Sequence, residues 1–213
     1  MHDASLASAA RFRMRVGREV VTPPEFRREL DAVTPLDRDA WLDAVLEVDG
    51  LIDDGPALPR DGVPYLACPV DAVVRAVELA RIGPGDVVVD VGSGLGRAAV
   101  LLHWLSGARV VGLEIQPHLV AQSRALAARA QVERFTVLEG DAAVLAPELH
   151  DASVFFLFCP FSGERLTRFL SAVEPLARRR ELRVATVQLP LPACAWLEPR
   201  AEADDVVVFE TRR

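Results

Sequence analysis

The sequence holds no lysine and no asparagine; all 24 of its basic residues are arginine. This bias reads as GC-rich coding and points to a bacterial source. The three cysteines, Cys68, Cys159 and Cys194, are odd in number and far apart, which excludes a disulfide framework and a zinc cluster as readings. The four histidines have no metal-ligand spacing and no HExxH run occurs, so no metal is expected. No apolar run approaches the ~20 residues of a membrane span. Met1-His2-Asp3-Ala4-Ser5 lacks a cationic start followed by a hydrophobic core, so no signal peptide is expected and the chain reads as cytoplasmic. Net charge is −7, with 8 Arg against 13 acids in residues 1–65 and 16 against 18 in residues 66–213. Such a chain has no electrostatic footprint for a phosphate backbone, so neither nucleic acid nor a membrane is expected as partner.

What is abundant is aliphatic. Of the 213 residues, 51% are hydrophobic, enough for one α/β domain with an appendage. Thr22-Pro23-Pro24-Glu25 and Thr34-Pro35-Leu36-Asp37 are helix starts, each a hydroxyl residue before Pro with an acid three positions on. Trp41, Leu42, Val45 and Leu46 form an apolar stripe at helical spacing. Residues 50–64, rich in Gly, Pro and Asp, read as a loop. The reading therefore divides the chain into a helical cap, 1–64, and a main domain, 65–213.

From Pro69 onward strands alternate with helices. Asp86–Val91, Arg109–Leu113, Phe135–Leu138, Ser153–Phe158 and Leu182–Leu189 read as strands, with a further one at Val206–Phe209. Helices follow Pro69, Leu95, Pro117 and Ser162. Apolar strands separated by helices predict a doubly wound, mostly parallel sheet covered on both faces.

The chemistry collects at strand ends. The first strand runs through Asp90-Val91-Gly92-Ser93-Gly94-Leu95-Gly96 into a helix, where glycines let a ligand approach the backbone and the helix terminus offers N–H groups. The spacing is GxGxG; the dinucleotide fingerprint is GxGxxG. Glu114, ending the second strand 22 residues after Gly92, is placed to accept from both ribose hydroxyls. Asp141 is placed to accept from an adenine amino group while the Ala142 N–H faces a ring nitrogen. Cys159-Pro160-Phe161 follows the fourth strand. All lie at carboxyl ends, the edge where open α/β sheets bind ligands.

These motifs resemble the class I S-adenosylmethionine-dependent methyltransferases over residues 65–189. Val87–Arg97 is similar to their first motif, Gly112-Leu113-Glu114 to the ribose motif and Glu139-Gly140-Asp141 to the adenine motif. With Tyr65 upstream and a Phe-rich fourth strand, the style is most similar to the non-SET, seven-strand histone-lysine methyltransferases and their bacterial relatives. The resemblance implies S-adenosylmethionine as cofactor, Tyr65 near its methionine end and Ile115 against the adenine. Expected cofactor-binding residues are Tyr65, Asp90, Gly92, Ser93, Gly94, Gly96, Glu114, Ile115, Asp141 and Ala142.

The chain departs from the amide and base N-methyltransferases, which carry Asn or Asp before Pro-Pro and an aromatic after strand four. Here Cys159 stands at that place, and a thiol is a poor acceptor for orienting an amino group. Cys159, Pro160 and Phe161 are expected to line the acceptor pocket, with Cys159 a packing residue and the Phe161 ring a surface for the acceptor. The expected acceptor is a small molecule or a protein side chain; the sequence assigns no oligomeric state. Two alternatives carry less: a catalytically silent nucleoside-binding module, supported by Cys159, and an NAD(P)-dependent oxidoreductase, disfavoured by the glycine spacing and the absence of a Tyr/Lys pair. Arg178-Arg179-Arg180 reads as a cationic helix end. Asp37, Asp39, Asp43, Glu47, Asp49, Asp53 and Asp54 read as a solvated acidic face.

Overall fold

The computed structural model describes residues 2–48, 52, 54, 55, 58 and 62–212. Three helices come first: α1 (His2–Val16), α2 (Pro23–Asp31) and α3 (Arg38–Leu46). Glu25 accepts the Thr22 N–H at 2.9 Å, the backbone half of the expected capping box. At the second start Thr34 Oγ1 donates to Asp37 at 2.8 Å, and a 3-10 turn over Pro35–Asp37 precedes α3. Then follow α4 (Val70–Leu79), β1 (Val87–Val91), α5 (Arg97–Ser106), β2 (Arg109–Glu114), α6 (Pro117–Arg129), β3 (Phe135–Glu139), α7 (Ala142–Leu145), β4 (Val154–Phe158), α8 (Gly163–Ala177), β5 (Arg183–Val187), β6 (Leu197–Ala203) and β7 (Val206–Thr211).

The seven strands form one sheet in the order β3-β2-β1-β4-β5-β7-β6. β1 to β5 pair in parallel, as the apolar runs predict. β7 enters antiparallel between β5 and β6. β6 has no counterpart in the sequence reading, because Leu197–Ala203 carries Pro199 and three charged residues, a composition poor in β propensity. Its turn, Asp204-Asp205, holds Asp204 at φ 50° without the glycine that marks a hairpin.

Successive strand residues face opposite sides of the sheet, and two cores result. Val88, Val110, Val154 and Phe156 join the core beneath α4, α5 and α6. Val89, Val111, Phe155 and Leu157 join the core beneath α8, with Leu166, Phe169 and Leu170. The N-terminal helices share the first of these. Phe12, Phe26, Trp41 and Trp104 form an aromatic cluster with centroid separations of 5.1–6.2 Å, and the Trp41 Nε1–H donates to Ser8 at 2.9 Å. Truncating any of these buried rings to Ala would cost roughly 3–5 kcal/mol.

The two capped amphipathic segments just before Tyr65 predict that residues 20–50 form helices beside the carboxyl edge of the sheet, helping to enclose the acceptor pocket. They pack instead along the flank of α4 and α5. Pro23 approaches Gly107, at the opposite end of α5 from the glycine loop. Only α3 reaches the carboxyl edge, and it does so through an ion pair. The acidic segment keeps Asp39 and Glu47 exposed, as expected of a solvated face, and also serves a buried cation. Asp39 and Asp43 bind the guanidinium of Arg97, at 2.8 and 2.6 Å, and Arg97 is 2% exposed. Arg97 also donates to the Cys68 carbonyl at 2.7 Å. Asp37 accepts from Ser5 and Thr34, and Glu47 pairs with Arg13. Asp49 and Asp53 lie outside the described residues.

Candidate active site

The carboxyl ends of β1 to β4 surround one cavity. The loop from β1 into α5 folds tightly because Gly92, Gly94 and Gly96 take φ of 72°, 53° and 79°, a region that strains L side chains. Its first residues are pinned across the edge: the Gly92 and Ser93 N–H groups both donate to the Leu113 carbonyl, at 2.8 and 3.0 Å. A Cβ on Gly94 would collide with the ring of Tyr65. One on Gly96 would stand 2.5 Å from Ser123 Oγ and 2.7 Å from the Phe135 ring. The two glycines therefore have different duties. Gly94 meets the cavity; Gly96 lets α5 approach α6 and β3.

The cavity is lined by Tyr65, Asp90, Gly92, Ser93, Gly94, Glu114, Ile115, Asp141 and Ala142, and by Cys159, Pro160 and Phe161. Every expected site residue except Gly96 is thus at its wall. Among the described residues no group of three or more His, Cys, Asp or Glu is placed to hold a metal.

Glu114 is buried and held from both sides. Its Oε2 accepts the Gly94 N–H and its Oε1 the Gln116 N–H, each at 2.8 Å. Each oxygen keeps a lone pair for a further donor such as a ribose hydroxyl. Asp90 is the converse case. It is 3% exposed, its Oδ2 has no hydrogen-bond partner, and its carboxyl is pushed up to about 7 by burial and, secondarily, by the charge of Glu114. A buried, unpartnered carboxylate oxygen suits a cationic or hydrogen-bond-donating ligand group. An acid for hydroxyls, an acid for a cation and a glycine turn on one wall fit S-adenosylmethionine, which carries a ribose, an ammonium and a sulfonium.

Asp141 is more engaged than the sequence suggests. Its Oδ1 accepts the Ala143 N–H at 2.9 Å, capping α7, and its Oδ2 pairs with Arg168 of α8. Tyr65 lies on the glycine loop, and burial raises its phenol to about 12. Cys159 sits at φ 43°, a left-handed conformation that Asn or Asp adopts more readily. Its thiol is directed to the Gln188 carbonyl at 3.3 Å, and burial pushes the thiol's pKa up. That is the environment of an inert packing residue. Phe161 is 7% exposed; it packs against Phe169 with centroids 5.7 Å apart, and the Arg165 guanidinium lies over its ring at 5.5 Å. One face of the ring expected to receive an acceptor therefore carries a cation, while Phe161 remains part of the cavity lining.

Sequence reasoning missed Arg97, Gln116, Asp54 and Arg168. Arg97 left a signal: it leads an otherwise apolar helix, and Asp39 and Asp43 stand four apart on one face of α3. The others are joined to their partners only by the tertiary fold.

Residues 88–180 match a family model described as a methyltransferase domain. No curated protein matches the chain. Among solved structures the chain is similar to an RNA methyltransferase from Salinibacter ruber in complex with S-adenosyl-L-homocysteine, at 25% identity and a TM-score of 0.54, covering 68% of this chain and 92% of that one. A precorrin-6y C5,15-methyltransferase from Geobacter metallireducens GS-15 superimposes at 16% identity and TM-score 0.50, over 73% and 96% of the two chains. A Podospora anserina methyltransferase with S-adenosylhomocysteine bound does so at 12% and 0.52, over 69% and 79%. Residues 88–180 are thus a methyltransferase domain on a Rossmann-like sheet, and the enzyme is an S-adenosylmethionine-dependent methyltransferase.

Proposed function

We propose that the protein methylates a small molecule or a protein side chain, with residues 65–213 as the cofactor-binding domain and 1–64 as its helical cap. The observation that carries this reading is the pairing of Glu114 with the Gly94 N–H beside the unpartnered Asp90 oxygen, on the wall of one cavity. S-adenosylmethionine, when bound, supplies an activated methyl group on a sulfonium. The chain's own part is to bind, to orient and to keep water out. Glu114 holds ribose hydroxyls, Asp90 the charged end, and Asp141 with Ala142 the adenine; Tyr65 closes the wall over Gly94. Cys159, Pro160 and Phe161 line the acceptor side, with no covalent role for the thiol. Positioning supplies most of the acceleration in such a reaction.

The Salinibacter ruber protein acts on RNA, which raises the opposing possibility of a nucleic-acid acceptor. The net charge of −7 argues against it here. Within the class, the placement of Tyr65 on Gly94 supports the likeness to the non-SET, seven-strand histone-lysine methyltransferases. Calorimetry with S-adenosylhomocysteine, NADH and a short RNA tests the reading. Heat with the first alone is expected; heat with NADH and none with S-adenosylhomocysteine would overturn it.

A further inference from the structure

One buried polar side chain at the cavity wall has no part in the reaction proposed above. Gln116 is 3% exposed and follows Glu114 by two residues. Its backbone N–H donates to Glu114 Oε1. Its carboxamide reaches a different segment of the chain: Nε2 donates to Asp54 Oδ1 at 3.0 Å, and Oε1 accepts the Gly55 N–H at 3.0 Å. Asp54 in turn accepts the Tyr65 N–H, at 2.9 Å to Oδ1 and 3.2 Å to Oδ2. The Tyr65 ring lies on Gly94, whose N–H returns to Glu114. The contacts close a circuit through Glu114, Gln116, Asp54, Tyr65 and Gly94.

The geometry points to Gln116 as the positioning residue for Tyr65, linking the carboxylate assigned to the ribose with the aromatic wall over the glycine loop. This rests on the cofactor reading given above. The residue type is set by its two neighbours. One is a carboxylate and needs a donor; the other is an N–H and needs an acceptor. A carboxamide supplies both within one planar group. Glutamate would add a third negative charge beside Asp54 and Glu114, and an aliphatic residue would leave the Gly55 N–H and Asp54 without their partner. Binding of a nucleoside that presses on Glu114 is thereby transmitted to the ring that borders the other half of the cavity.

Tyr65 is the only tyrosine of the chain, so incorporation of 3-fluorotyrosine gives a single fluorine resonance that reports on its ring. The full chain is compared as wild type, Gln116→Ala, Asp54→Ala and the double variant, with and without S-adenosylhomocysteine. In both single variants the resonance moves toward that of free fluorotyrosine, and the Kd for S-adenosylhomocysteine rises about five- to tenfold. The double variant goes no further than either single one, because each breaks the same circuit. A resonance unmoved by either substitution, or effects that add, would overturn the assignment. Asp54→Ala removes a partly exposed side chain and keeps the test available if Gln116→Ala does not fold. If the wild type binds no S-adenosylhomocysteine, the cofactor reading has failed, while the resonance shift in the free protein still decides the role of Gln116.

Discussion

Gly94 gives its backbone N–H to the carboxylate of Glu114, 20 positions downstream, at 2.8 Å. The acid that the sequence marks for a ribose is therefore also a strut of the glycine loop. Glu114→Ala has two effects as a result. Cofactor affinity falls by roughly 1.5–3 kcal/mol through lost charge-assisted bonds. The free protein is destabilised as well, by about 2 kcal/mol, because the Gly94 and Gln116 N–H groups lose their acceptor. Calorimetry and urea unfolding separate the two, and an unchanged unfolding midpoint would contradict the strut.

The two glycines on either side of Leu95 part company under substitution. Gly94→Ala places a methyl group into the Tyr65 ring and in a left-handed backbone, so the loss is expected chiefly in S-adenosylhomocysteine binding. Gly96→Ala meets Ser123 and Phe135 beneath the loop, and is expected to lower Tm, with a cost of roughly 2–3 kcal/mol. Thermal melts read beside binding isotherms would show whether the effects sort this way; equal loss of both properties in both variants would count against it.

Asp90 makes the stability of the free protein depend on pH. Its carboxyl titrates at about 7 in the fold, above its value in the unfolded chain. Its contribution is fully present below about pH 4 and is lost as pH rises through about 7. The penalty approaches about 4 kcal/mol in alkali. Asp90→Asn removes this dependence, so the variant should gain on the wild type between pH 5 and pH 8.5 in urea unfolding, while binding S-adenosylmethionine more weakly. Parallel stability profiles for the two proteins would show that Asp90 does not titrate there.

Arg97 joins the N-terminal helices to the first turn of α5 with its charge buried between Asp39 and Asp43. Arg97→Ala should cost roughly 3 kcal/mol. Arg97→Met, which keeps the volume and drops the charge, should cost less. Hydrogen exchange in α3 is expected to accelerate in the Ala variant, and exchange unchanged from wild type would show that the helices dock without this pair.

The central strands were legible because each is a short apolar run, aliphatic in β1 and β2 and Phe-rich in β4, and such runs have few other uses in a chain of this composition. The glycine loop was legible for the same local reason. What escaped was long-range or atypical. Gln116 and Asp54 are 62 positions apart, and neither carries a motif that names the other. The ion pairs of Asp39 and Asp43 escaped because their cation sits on another helix. Phe161 read as an open ring because nothing in Phe161-Ser162-Gly163-Glu164-Arg165 says that the arginine folds back over it. β6 failed the propensity test because an edge strand is selected for what it does not bind as much as for what it does.

That edge has a consequence for how the protein behaves when crowded. β6 presents Glu198, Arg200 and Glu202 along its length, its pairing slips between Pro199 and Ala201, and Pro199 has no N–H to offer. A neighbouring strand that tried to extend the sheet there would find mixed charge, a missing donor and a broken register. On this side the sheet is closed to lateral growth, so concentrated or partly unfolded protein is steered away from strand-by-strand stacking into fibrils.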